Sequence, residues 1–122
     1  MQDKNLGFTL IEILTVLLMI SLIALFAYPN YISYIHKSNR LDAINSLFHF
    51  QALWQQCLLN LPDSDICLQE TGLAPGQTQL SLSNHYQISA SHHEAVVHFS
   101  AQPILTQMND QNCVEFLLDS QG

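Results

Sequence analysis

The chain has 122 residues, of which 48% are hydrophobic and only 11% charged, a balance unusual for a wholly soluble domain. Net charge is −7, the basic residues are Lys4, Lys37 and Arg40, and no Lys or Arg follows Arg40. Nucleic-acid affinity rests on Lys and Arg that displace counterions from phosphates, so direct nucleic-acid contact by the C-terminal part is not expected.

In chain order, the first element is the apolar run from Phe8 to Tyr28, interrupted by one charge, Glu12. As a helix rising roughly 1.5 Å per residue, it is long enough for a hydrocarbon core of about 30 Å. The preceding Met1-Gln-Asp-Lys-Asn-Leu-Gly7 is only weakly basic, and the apolar run is longer than the core of a secretory signal peptide. Glu12 is the anomaly, because a carboxylate in hydrocarbon is costly unless something compensates it. It is either functional, or it sits wet or protonated near the interface. Pro29 removes one backbone hydrogen bond and crowds the preceding turn, predicting a helix kink, a local break or a helix boundary.

Beyond Pro29, Leu41, Ile44, Leu47, Phe48, Trp54, Leu58 and Leu61 recur at helical spacing, with Ala43, Phe50, Leu53 and Cys57 on an adjoining stripe. This predicts a broad apolar face packed on a sheet, its aromatics serving as core. The helix should end near Asn60, before Leu61-Pro62-Asp63-Ser64-Asp65, and residues 61–79 read as a loop. Tyr86, Ile88 and Ala90 alternate inward, then Val97, Phe99 and Ala101, separated by the polar Ser91-His92-His93-Glu94, which reads as a hairpin. Asn109-Asp110-Gln111-Asn112 reads as a further turn, and Val114, Phe116 and Leu118 as the inward face of a last strand. Residues 80–120 then form a small antiparallel sheet against the helix, an α+β fold.

Three cysteines lie in this part, Cys57, Cys67 and Cys113. In an oxidising compartment a Cys57–Cys67 disulfide closes the shortest loop, with Cys67–Cys113 and Cys57–Cys113 as alternatives. The spacing lacks a C-x-x-C pair, and His85, His92, His93 and His98 read as a solvated region, so no metal is expected. No Ser/His/Asp or Cys/His arrangement and no Gly-rich phosphate loop stands out, so neither enzymatic activity nor a cofactor is expected.

Gly7-Phe8-Thr9-Leu10-Ile11-Glu12, followed by an apolar run to Tyr28-Pro29-x-Tyr31, resembles the prepilin signature of type IV pilins. The resemblance implies that a prepilin peptidase cuts between Gly7 and Phe8 and methylates the new amino group of Phe8. It also implies that Glu12 meets the Phe8 amine of a neighbouring subunit during assembly, the pairing a buried charge needs. Residues 1–7 would be a cleaved leader, 8–35 a transmembrane and filament-core helix, and 36–122 a periplasmic or extracellular head. The tail, with Ala101-Gln-Pro103 and Asp110-Gln-Asn-Cys113, resembles PilE-like minor pilins. By this resemblance the chain is a structural, minor subunit of a type IV pilus. It would lie in the bacterial inner membrane with a cytoplasmic N-terminus and then in the extracellular pilus. Its partners would be other pilin subunits, the prepilin peptidase and the inner-membrane assembly platform. A type II secretion pseudopilin and a competence DNA-uptake pilin are the alternatives.

Overall fold

A computed structural model describes residues 8–93 and 96–121. The leader residues, including Gly7, and Glu94 of the hairpin lie outside the described residues. Helix α1 runs from Leu10 to Asn60, and the chain divides into two units after Ile35. In the first unit α1 starts at a cap: the Thr9 hydroxyl accepts the Glu12 backbone N–H at 3.3 Å. Thr9-x-x-Glu12 has the spacing of a capping box, a helix-start signature. Every side chain from Phe8 to Tyr34 is exposed within this unit. Among the described residues α1 is the one helix long and apolar enough to cross a membrane, with a mean hydropathy of 2.7 over its most apolar window. The helix continues through Pro29 without a break or a boundary. Pro29 has no N–H to offer the Leu25 carbonyl, and next to it the Asn30 amide donates to the Phe26 carbonyl at 3.2 Å.

The second unit holds the rest of α1, helix α2 (Ser64–Glu70) and strands β1 (Thr78–Leu80), β2 (Tyr86–His93), β3 (Val96–Pro103) and β4 (Phe116–Asp119). The strands form one antiparallel sheet in the order β1-β2-β3-β4, which bears out the α+β class. Alternation does what the sequence predicts: Tyr86, Ile88 and Ala90 of β2 and Val97, Phe99 and Ala101 of β3 are all buried. Ile88 faces Ala101 and Ala90 faces Phe99 across the ladder, so both inward sets share one face. Helix α1 covers that face with Ala43, Leu47 and Trp54, and the Trp54 and Phe99 rings meet edge to face at 6.0 Å.

The helix buries a narrower face than the apolar spacing suggests. Leu41, Phe48, Leu53 and Leu61 are exposed, whereas the polar Ser46 and Gln51 are buried. Gln51 keeps its place because its amide donates to the Asp119 carbonyl at 3.2 Å, tying the helix to β4.

Residues 61–79, expected as a loop, contain α2 and most of β1. Asp63, read as a turn residue, is the N-cap of α2, its carboxylate accepting the Asp65 and Ile66 N–H groups at 3.0 and 3.1 Å. The helix ends in a Schellman turn: the Leu73 N–H reaches the Leu68 carbonyl and the Gly72 N–H the Gln69 carbonyl. Gly72 takes the left-handed φ of +74° that this turn requires. Leu68 and Leu73 are both buried, so the cap doubles as core. β1 begins two residues before the expected sheet start. β2 extends through Ser91, His92 and His93, three residues of the polar stretch expected to separate the two strands. Val114 lies before β4 and is exposed, because a 3₁₀ turn at Leu105–Asn109 and the bend after it delay the strand until Phe116.

Candidate assembly site

At the start of α1, Phe8 and Glu12 lie four residues apart and line one shallow face with Ile13, Val16 and Leu17. This follows from helical geometry, in which i and i+4 side chains stack. The face is apolar apart from the Glu12 carboxylate, so it offers a partner one charge in an otherwise dry contact. The partner's complementary group would have to be cationic, or the carboxylate neutral. Farther along, the Thr15 and Ser21 hydroxyls donate back to the Glu12 and Leu18 carbonyls at 2.8 and 2.7 Å. Their polarity is thereby spent within the helix, and the outward surface stays apolar.

The head carries a second constellation, which local sequence pattern did not announce. Gln107, in the 3₁₀ turn, is 0% exposed. Its amide oxygen accepts from the His36 ring Nδ1 at 3.0 Å and from the Asn39 amide at 3.1 Å. Because that oxygen can only accept, the His36 proton sits on Nδ1. The Gln107 amide nitrogen donates to the Tyr86 hydroxyl and to the Asp110 carboxylate, both at 3.0 Å. Asp110 in turn receives Arg40 through both guanidinium arms, Nε at 2.6 Å and Nη2 at 2.5 Å. The Asp110 side chain is 3% exposed and that of Arg40 28%. The Arg40 hydrogen bonds hold the Asp110 carboxyl below its ordinary range against the opposing effect of burial, and the same bonds raise Arg40. Burial raises the Tyr86 hydroxyl, with the Gln107 bond working against it, so Tyr86 stays a neutral phenol. Arg40, the sole arginine, is therefore committed to an internal carboxylate. Arg40 and Asp110 lie 70 residues apart; the one available signal was a lone Arg at the end of the basic segment and an Asp in the Asp110-x-x-Cys113 motif.

Cys57 and Cys67 form a disulfide with Cα atoms 5.6 Å apart, joining α1 to α2, and Cys113 is a free, half-buried thiol. The disulfide lies where α2 folds back beside the end of α1, so the two helices bring the thiols together without long loop closure. His92 lies 3.4 Å from Asp65, an ion pair only when the ring is protonated. Among the described residues no three His, Cys, Asp or Glu side chains are grouped for a metal.

Comparison with curated proteins and with solved structures gives no match. A family model described as the prokaryotic N-terminal methylation motif matches residues 3–28, the segment holding Gly7, Phe8 and Glu12. A second, described as type IV minor pilin ComP, DNA uptake sequence receptor, matches residues 29–117, which take in the remainder of α1, the sheet and the Gln107 network. With a methylation motif on its apolar helix and most of its length within the second model, the chain belongs to the type IV minor pilin ComP family.

Proposed function

We propose that the chain works as a processed, structural subunit of a type IV pilus, entering the filament through the Phe8–Glu12 face of α1. The observation that carries this reading is the methylation motif placed directly on an apolar helix whose side chains are exposed as far as Tyr34. A prepilin peptidase would cut after Gly7 and methylate Phe8. The retained helix holds the subunit in the inner membrane until the assembly platform extracts it among other pilins, with hydrophobic packing supplying the cohesion. Glu12 selects register, since a buried carboxylate is tolerated only beside the Phe8 amine of a neighbour. Pro29 gives this helix a point lacking one backbone bond, where bending is cheapest. The family's structural role and the absence of any triad or phosphate loop in the sequence support a non-enzymatic function.

The decisive test is intact-mass measurement of sheared surface filaments. A species beginning at methylated Phe8 is the expected result, and absence of the chain from filaments refutes the proposal. Glu12→Val should leave the membrane pool unchanged and remove the chain from filaments; normal incorporation of that variant refutes the role given to Glu12.

The family's description as a DNA uptake sequence receptor favours a second reading, DNA capture by the head. Charge weighs against it in this chain: after Arg40 there is no Lys or Arg, and Arg40 itself is held by Asp110. A gel shift with duplex DNA at low salt separates the two readings, since phosphate contacts are strongest there. Tight binding by the purified chain would establish the receptor reading.

A further inference from the structure

Two turns of the head, residues 81–85 and 105–109, fasten onto the first residues that α1 contributes to it. The Ser83 N–H donates to the Asp42 carboxylate at 3.2 Å, and Gln107 bonds His36 and Asn39. The turns are also joined to each other, since the Ile104 N–H donates to the His85 carbonyl at 2.9 Å. Each buries a polar side chain and exposes apolar ones. Ser81 and Gln107 are buried, whereas Leu82 is 93% exposed, Leu105 74% and Met108 69%. Leu105 stands at a φ of +54°, a left-handed backbone that a leucine adopts only at a cost. A strained backbone that ends in an exposed Leu gains nothing inside the head, which points to a contact outside it.

Chain order and charge indicate what that contact is. Residues 36–42 follow the apolar segment of α1 in the same unbroken helix, so the two turns lie at the end of the head where the chain arrives from that segment. The exposed acids Asp63, Asp65 and Glu70 cap or belong to α2, which is bonded to Cys57, about 25 Å beyond Arg40 at 1.5 Å per residue. The head is thus apolar at one end and acidic at the other. At the apolar end the Asp42 carboxylate is engaged by the Ser83 N–H and that of Glu115 by the Gln102 amide, while Lys37 is exposed and offers lipid phosphates a cation. Three apolar side chains on a free protein would adsorb only weakly and reversibly, but a head tethered to the bilayer meets it at high effective concentration.

We propose that Leu82, Leu105 and Met108 form a foot that dips into the lipid interface of the membrane holding the subunit, fixing the tilt and depth of the head before assembly. The proposal rests on the membrane-anchored reading above. It is tested by placing single tryptophans in the full-length chain carrying Trp54→Phe, reconstituted in phosphatidylcholine vesicles. Leu82→Trp, Leu105→Trp and Met108→Trp should emit at shorter wavelength than Ile66→Trp, an exposed position on α2, and should lose emission to lipids brominated on the upper acyl chain while Ile66→Trp keeps it. Emission from all three that matches Ile66→Trp overturns the proposal, as does shielding that arises in sheared filaments but not in vesicles, which would assign the patch to a neighbouring subunit. Leu105→Ser with Met108→Ser should relieve the quenching of Leu82→Trp, and unchanged quenching overturns a shared foot. The Cys57–Cys67 bond, read by intact mass, reports that each variant has folded. Phe26→Trp, within the apolar segment, separates two failures: quenching there with none at the foot sinks only this proposal, whereas no quenching at Phe26→Trp sinks the membrane-anchored reading itself.

Discussion

Gln107→Leu is the most informative single change in the head, because it keeps side-chain volume while removing every polar contact at the centre of the network. Gln107 is fully buried, so no water stands ready to replace its amide. The substitution strips the Tyr86 hydroxyl of its donor and takes one of the donors from Asp110, and it leaves the His36 and Asn39 groups facing a hydrocarbon. A buried polar group left without a partner costs about 1–3 kcal/mol, and a bond to a charged acceptor contributes about 1.5–3 kcal/mol. Tyr86 and Asp110 are the buried members, while His36 and Asn39 are half exposed and regain some solvation. After allowing for the greater apolarity of Leu, the net loss is about 3 kcal/mol. For a domain of this size that lowers the midpoint by roughly 15 °C. Thermal melts of the full chain in detergent, followed by the near-ultraviolet signal of Trp54, measure it. A shift smaller than about 3 °C would mean the network contributes little net stability, and the reasoning from burial would be wrong.

Acidification should act on the same cluster. Asp110 is more acidic folded than unfolded, so its charge supports folding above the ordinary Asp range and that support is lost as pH falls, below about pH 4. Asp110→Asn should therefore be less stable than wild type at pH 7 and lose less on going to pH 3, a difference seen by comparing midpoints at both pH values. Cys57→Ser opens a disulfide whose cysteines are 10 residues apart and should cost about 3 kcal/mol by loop-closure entropy, read from urea unfolding. Gly72→Ala places a methyl at a φ of +74° with its carbon 2.6 Å from the Gln79 amide nitrogen, so that side chain must move. A loss of about 1–2 kcal/mol in the same assay is expected, and a neutral result would show that the Schellman turn relaxes freely.

Much of this architecture is legible in local pattern and some is legible nowhere in it. The inward faces of β2 and β3 are plain because strand alternation maps one-to-one onto burial, as Ile88 and Phe99 show. The apolar helix is plain because an unbroken run of that length has few other uses. The covered side of α1 is not plain: Leu47 and Phe48 are adjacent and equally apolar, and only the sheet decides that Leu47 is buried and Phe48 exposed. α2 was hidden because N-caps and turns use the same residues, and Asp63 after Pro62 fits either. Gln107 and the Arg40–Asp110 pair arise from contacts 70 residues apart, beyond any periodicity, and a buried Gln runs against the usual burial order. At the candidate assembly site the motif Gly7-Phe8-Thr9-Leu10-Ile11-Glu12 spoke more clearly than any geometry of a single chain, since the partner proposed for Glu12 lies on another subunit.

The Gln107 network also decides what a cut in the head would do. Its members come from His36–Arg40 at one end of the head and Gln107–Asp110 near the other, so the intervening chain forms a closed circuit fastened by side chains. Pro75 and Gly76 sit in an exposed turn within that circuit, past the disulfide and before every strand. Scission there divides the head into a helical fragment and a sheet fragment with no covalent bond between them. Across that cut the two fragments are tied by the clasp of Arg40 and Gln107 and by the core that Trp54 shares with Phe99, and protonation of Asp110 weakens only the first of these ties.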